Sequence, residues 1–131
     1  MVRFTIRIAG GTGYLTYPPT GLARTTATAE LYDPVANAWS SAGTMSTPRE
    51  FATSTLLPNG QVLIVGGDSG PTNPSPLASA EVYDPVANTW TLASSTTTSR
   101  ENHTATLLQN GLVSVAGGTY NRQPARNSTI P

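Results

Sequence analysis

Ala29-Glu30-Leu31-Tyr32-Asp33-Pro34-Val35-Ala36-Asn37 recurs as Ala80-Glu81-Val82-Tyr83-Asp84-Pro85-Val86-Ala87-Asn88, an offset of 51. The same offset carries Trp39 to Trp90, Arg49 to Arg100, Asn59-Gly60 to Asn110-Gly111 and Gly66-Gly67 to Gly117-Gly118. Aligned without a gap, residues 29–67 and 80–118 share 22 identities in 39 positions, so the chain contains a duplication. A fixed period of this length is the mark of a repeat architecture. A third, partial copy precedes the two. Gly10-Gly11 stands before Ala29 as Gly67 stands before Ala80.

Inside the unit the period is that of strands. Phe51–Leu57 runs into Pro58-Asn59-Gly60, then Gln61–Val65 and Gly66-Gly67. Asn-Gly between two apolar runs predicts a hairpin with a type I′ turn, in which both central residues take positive φ. The next strand covers about 78–83 and ends at Asp84-Pro85, because proline cannot continue a ladder. A last strand surrounds Trp90. One unit therefore reads as four short antiparallel strands: A (51–57), B (61–66), C (78–83) and D (89–93). The leading copy supplies B (about 3–9), C (27–32) and D (38–41). The trailing copy supplies A (102–108) and B (112–117).

Composition fits this all-β reading. Glycine and proline together make 23 of the 131 residues, which suits short strands joined by turns. Seven arginines and no lysine balance four Glu and three Asp, for a net charge of zero. That excludes a nucleic-acid binder working by phosphate neutralisation, and any polybasic membrane contact. No cysteine is present, so there is no disulfide framework, thiolate metal site or Cys nucleophile. No apolar run approaches the roughly 18 residues of a membrane span. The leading MVRFTIRIAGG lacks the apolar core of a secretory signal. No glycine-rich loop precedes a helix, so no phosphate cradle is expected.

A Gly-Gly doublet after an apolar strand, Tyr-Asp-Pro, a tryptophan about six residues on and an arginine before the next strand resemble the kelch repeat, a unit of about 50 residues. The resemblance covers roughly residues 1–118 and implies β-propeller blades: partial over 1–41, full over 49–93 and partial over 100–118, with a tail at 119–131. The tail from Tyr120 shows no strand pattern and reads as a loop, a docking arm or disorder. Tyr32, Trp39, Tyr83 and Trp90 are the rings available to fill the seams between blades, each burying roughly 150–250 Å².

Propellers have typically about 4–8 four-stranded blades. Nine strands make little more than two, and an open fragment exposes sheet edges. Setting the first strand aside leaves C-D, A-B-C-D, A-B, so the trailing A-B of one chain can complete a blade with the leading C-D of another. The expected partner is therefore the chain itself, in a cyclic homo-oligomer with a trimer of six blades favoured, or the rest of a larger propeller. The first strand and Leu112–Gly118 then compete for one B slot.

In an up-and-down blade the D–A and B–C connections share a face. The A–B and C–D turns are near copies and read as structural. The B–C loops differ in length and carry Tyr14, Tyr17, Asp68 and Asn73. Arg49 and Arg100, each followed by a glutamate (Glu50, Glu101), precede strand A beside that face and near the axis. Forked guanidinium donors suit carboxylates, sulfates or sugar hydroxyls. The resemblance adds that some kelch proteins use arginines here for acidic peptides. The competing reading is an ion pair with Glu30 or Glu81. His103, the one histidine, reads as a packing residue. Copper radical oxidases on kelch propellers need several His and Tyr ligands and a Cys–Tyr crosslink, so no metal or other cofactor is expected. Asn102-His103-Thr104 and Asn127-Ser128-Thr129 match the glycosylation pattern, a cheap match here. The function expected is a non-catalytic module binding protein or carbohydrate through the B–C/D–A face. The alternatives are a piece of a larger, galactose-oxidase-like propeller enzyme and a purely structural unit.

Overall fold

A computed structural model describes residues 5–7, 11–13, 24–70, 75–120, 123–124 and 128–130. These hold fourteen strands and no helix: β1 (Thr5–Arg7), β2 (Gly11–Gly13), β3 (Arg24–Thr26), β4 (Thr28–Asp33), β5 (Ala38–Thr44), β6 (Thr53–Leu56), β7 (Val62–Val65), β8 (Ala80–Asp84), β9 (Thr89–Ala93), β10 (Thr104–Leu107), β11 (Val113–Ala116), β12 (Thr119–Tyr120), β13 (Gln123–Pro124) and β14 (Ser128–Ile130). Three antiparallel sheets follow the repeat: β1-β4-β5, β6-β7-β8-β9 and β10-β11-β14. In blade terms they are B-C-D, A-B-C-D and A-B-C. Two short ribbons, β2-β3 and β12-β13, lie within the B–C connections of the outer sheets.

The central strand β7 explains the layering. Successive side chains of a strand point to opposite faces. Val62 and Ile64 join Ala29, Ala42, Met45 and Tyr83 in the seam toward the first sheet. Leu63 and Val65 join Ala80, Val113 and Val115 in the seam toward the third. With both faces covered, β7 is apolar throughout and buried at every position.

The C–D turn shows why Tyr-Asp-Pro-Val-Ala-Asn is repeated. Asp33 Oδ1 accepts from the amides of Val35 (2.8 Å) and Ala36 (3.2 Å), and the Tyr32 hydroxyl donates to Asn37 Oδ1 at 2.8 Å. Asp84, Val86, Ala87, Tyr83 and Asn88 repeat every bond at the same lengths. The amides of Ala87 and Val86 hold the Asp84 carboxyl below its ordinary range, while burial pushes the Tyr83 phenol up. Asn37 and Asn88 close the turns at φ of 50° and 54°, a conformation asparagine tolerates.

Two expectations need correction. The A–B turn is not type I′: Gly60 has φ of 86°, but Asn59 is not among the positive-φ residues. Gly60 N–H donates to Leu57 O (3.0 Å) and Leu57 N–H to Gln61 O (2.8 Å). That is a type I turn followed by a left-handed glycine; Pro58 suits its first corner, and the second copy makes the same turn with Gln109 there. Second, the tail contributes a strand: Ser128–Ile130 pairs with β11, Val113 facing Ile130 and Val115 facing Ser128. An unpaired strand edge is a template for any short extended segment. Within one copy the B slot beside β4 is held by the first strand, since β1 pairs with β4 while β11 pairs with β10. Ten strands thus build three incomplete or complete blades among the described residues.

Candidate functional site

The connections that carry the chain from one sheet to the next are built alike. Met45 N–H donates to Ala27 O and Arg49 N–H to Thr26 O; fifty-one residues on, Thr96 N–H donates to Ala78 O and Arg100 N–H to Leu77 O. Glu50 then pairs through its backbone with Asp68, and Glu101 with Thr119. Each connection places an arginine over the loop-face end of the next sheet.

Arg49 is 1% exposed. Its Nη1 donates to Gly66 O and Ser79 O, both at 2.9 Å. Its Nη2 reaches Ser79 Oγ (2.9 Å) and Glu81 Oε1 (3.0 Å), and Nε faces the same Oε1 at 3.4 Å. The other carboxylate oxygen of Glu81 accepts from Ser46 N–H at 2.8 Å. One buried glutamate therefore clamps the whole connection onto the second sheet.

Arg100 is fully buried at the equivalent place, and its Nη1 donates to Gly117 O at 2.8 Å. Its Nε and Nη2 have no partner. Burial pulls its pKa below the ordinary arginine value. His103 lies beside it, buried, with Nε2 2.8 Å from Thr53 Oγ1 and Nδ1 unpartnered. Burial first, and then the Arg100 charge, lower the His103 pKa from 6.5 to about 4. The folded chain thus keeps this ring neutral where the unfolded chain binds a proton. Stability is present in full above pH 6.5 and falls as the pH drops from about 6.5 to about 4. Thermal melts across that window are expected to show this slope, and His103→Gln to flatten it. Because the chain has a single histidine, NMR can follow its ring carbon directly; a midpoint near 6.5 in the folded chain would contradict the assignment.

The remaining sequence candidates divide clearly. Asp68 is buried, and its Oδ1 accepts from Gly70 N–H (2.8 Å) and Ser75 N–H (3.2 Å), so it holds the B–C loop. Glu50 is buried, and Glu101 accepts from Thr119 Oγ1 at 3.4 Å. Tyr14, Tyr17 and Asn73 lie outside the described residues. The two arginines do not form an open cationic ring on the loop face, because both guanidinium groups are drawn into the sheets. Among the described residues no three His, Asp or Glu side chains converge as a metal site, and no helix is long and apolar enough to cross a membrane.

One residue that the sequence reading left inside strand A stands out. Phe51 sits just before β6 at φ of 56° and is 56% exposed. Its equivalent, Asn102, has φ of 53°. Both copies demand a left-handed residue; asparagine suits it, whereas a bulky aromatic there is a genuine outlier. Phe51 borders a cavity of about 100 Å³ lined also by Met45, Arg49, Glu50, Ala52, Thr53, Ser54 and Ile64. The mismatch between Phe51 and Asn102 within so close a repeat was the available signal.

Comparison with known proteins adds a family. Residues 53–97 match the model of the Kelch motif. An F-box/kelch-repeat protein of Arabidopsis thaliana is 42% identical over 60 residues, which are 45% of this chain and 12% of that protein. The solved structure of YjhT superposes with a TM-score of 0.62 at 22% identity, over 70% of this chain and 28% of YjhT. The chain thus spans less than a third of either.

Proposed function

Because this chain is built of kelch repeats, we propose that it is a non-catalytic interaction module that captures a protein segment on the B–C/D–A face, with Phe51 as the contact residue. The observation that supports it is the strained, exposed ring. A left-handed non-glycine residue costs on the order of 1–3 kcal/mol, and such strain concentrates at ligand clamps. Exposed aromatics also dominate protein contacts, since they bring large area at low entropic cost. The adjoining cavity argues for a protein over a small molecule. Small-molecule pockets are typically about 300–1,000 Å³, whereas this one, at about 100 Å³, suits a single side chain. Carbohydrate binding, catalysis within a larger propeller and a purely structural role have no comparable feature among the described residues.

Phe51→Asn installs the residue of the sister copy. It is expected to raise stability by about 1 kcal/mol, read by urea denaturation, because the strain goes and little burial is lost. The same variant is expected to weaken, at least tenfold, the binding of peptides selected from a displayed random library on the parent chain. Selected peptides that bind Phe51→Asn equally well would dismiss this face, and glycans that bind through Phe51 in their place would favour the carbohydrate reading.

A further inference from the structure

The two lead-in arginines use their Nη1 alike but differ at the opposite edge. In the second sheet Nε and Nη2 of Arg49 lie against the Glu81 carboxylate. In the third, the same edge of Arg100 is buried and empty. Strand register says why. Ile64 faces Glu81 across β7 and β8, and its equivalent, Val115, faces Ser128. A serine stands where the repeat places a carboxylate. The chain also holds the complementary piece: Glu30, the counterpart of Glu81, lies in β4 and is exposed.

We propose that a second copy of this chain fills the empty edge: its β4, released from β1 and still paired with β5, pairs with β11 in place of Ser128–Ile130, and its Glu30 binds Nε and Nη2 of Arg100. A third observation on another face supports the same arrangement. In the second sheet Trp90 stacks on Tyr83, with ring centroids 5.1 Å apart, and its indole N–H donates 2.7 Å to Ala42 O of the preceding sheet. Trp39 and Tyr32 form the same pair at 5.1 Å, yet Trp39 is 50% exposed. Carried to the third sheet by β4 and β5, Trp39 meets the end of β9, where Ala93 is the counterpart of Ala42. One contact thus pairs a buried guanidinium, covers an exposed tryptophan and exchanges two three-residue pairings, β1 on β4 and Ser128–Ile130 on β11, for one between β4 and β11.

The contact is head-to-tail, since each copy offers Arg100 at one end and Glu30 at the other. Such interfaces close as rings when the rotation permits. Each copy then contributes two complete blades, and three copies give six, within the usual range of about 4–8. This inference uses the sheet edges and does not depend on Phe51.

Light scattering on the 131-residue chain, eluted over a dilution series, tests it. The expected mass is a whole multiple of 13.6 kDa, falling to one copy on dilution. Glu30→Gln, at an exposed position, is expected to keep the fold of the single copy while raising the dissociation midpoint about thirtyfold or more, the scale for truncating one partner of a buried charge pair. Trp39→Ala shifts it in the same direction. Ser128→Glu supplies the carboxylate from within the chain and is expected to favour the single copy with a raised Tm. A single copy at every concentration overturns the proposal, as does an assembly whose midpoint ignores both Glu30→Gln and Ser128→Glu.

Discussion

Arg49→Met is expected to remove about 3–5 kcal/mol of folding stability, the range for breaking a buried ion pair from one side. Methionine fills a similar volume, so the loss is chiefly electrostatic. Glu81 stays buried and, of its hydrogen-bond partners among the described residues, keeps the Ser46 amide. The carbonyls of Gly66 and Ser79 lose their guanidinium donor. Since a domain of this size has about 5–15 kcal/mol in all, the variant should be partly unfolded on mild heating. Arg100→Met, measured on the dissociated chain, is the internal control. The same substitution removes a buried guanidinium that has two unpartnered nitrogens, so its effect should stay within about 1 kcal/mol of zero. Urea denaturation with unchanged m-values would compare the two. Equal losses at both positions would mean that packing of the arginine stem, not the Glu81 pair, does the holding.

That contrast also marks how far the sequence could be read. The strands and seams are legible because two independent patterns agree: short runs of strand-forming residues bounded by turn residues around β6 and β7, and the offset of 51 that repeats them. The pair between Arg49 and Glu81 was legible as one of two readings of a repeated arginine. The empty edge of Arg100 was not. It depends on the register of Ser128–Ile130, a segment too short to show alternation, which is a strand only because β11 offers it an edge. The A–B turn was misjudged for a local reason. Asn-Gly alone suggests a two-residue corner, whereas both copies form a three-residue turn in which only the glycine takes positive φ, after Pro58 and after Gln109 alike. Phe51 was hidden by its surroundings. It lies at the head of an apolar run that reads as strand, and only its backbone angle separates it from the core.

Gly67→Ala is expected to be strongly destabilising for so small a substitution. The backbone there has φ of 90°, and an added Cβ would stand 2.5 Å from Glu50 O and 3.0 Å from Ala52 Cβ. A left-handed alanine costs on the order of 1–2 kcal/mol by itself. The carbonyl cannot move aside cheaply, because Glu50 O accepts from Asp68 N–H at 2.8 Å and Glu50 N–H donates to Asp68 O at 2.9 Å. Overpacking against fixed backbone adds about 1–3 kcal/mol, for an expected total of about 2–5 kcal/mol. Gly60→Ala separates the two contributions. Its φ is 86°, but nothing lies within 4 Å of the new Cβ, so only the backbone cost of about 1–2 kcal/mol remains. The difference between the variants in urea denaturation therefore measures how tightly the connection is pressed onto the second sheet. If Gly67→Ala proved no worse than Gly60→Ala, the close approach at the Gly-Gly doublet would not be what fixes the seam, and the repeat of that doublet at Gly117-Gly118 would need another cause.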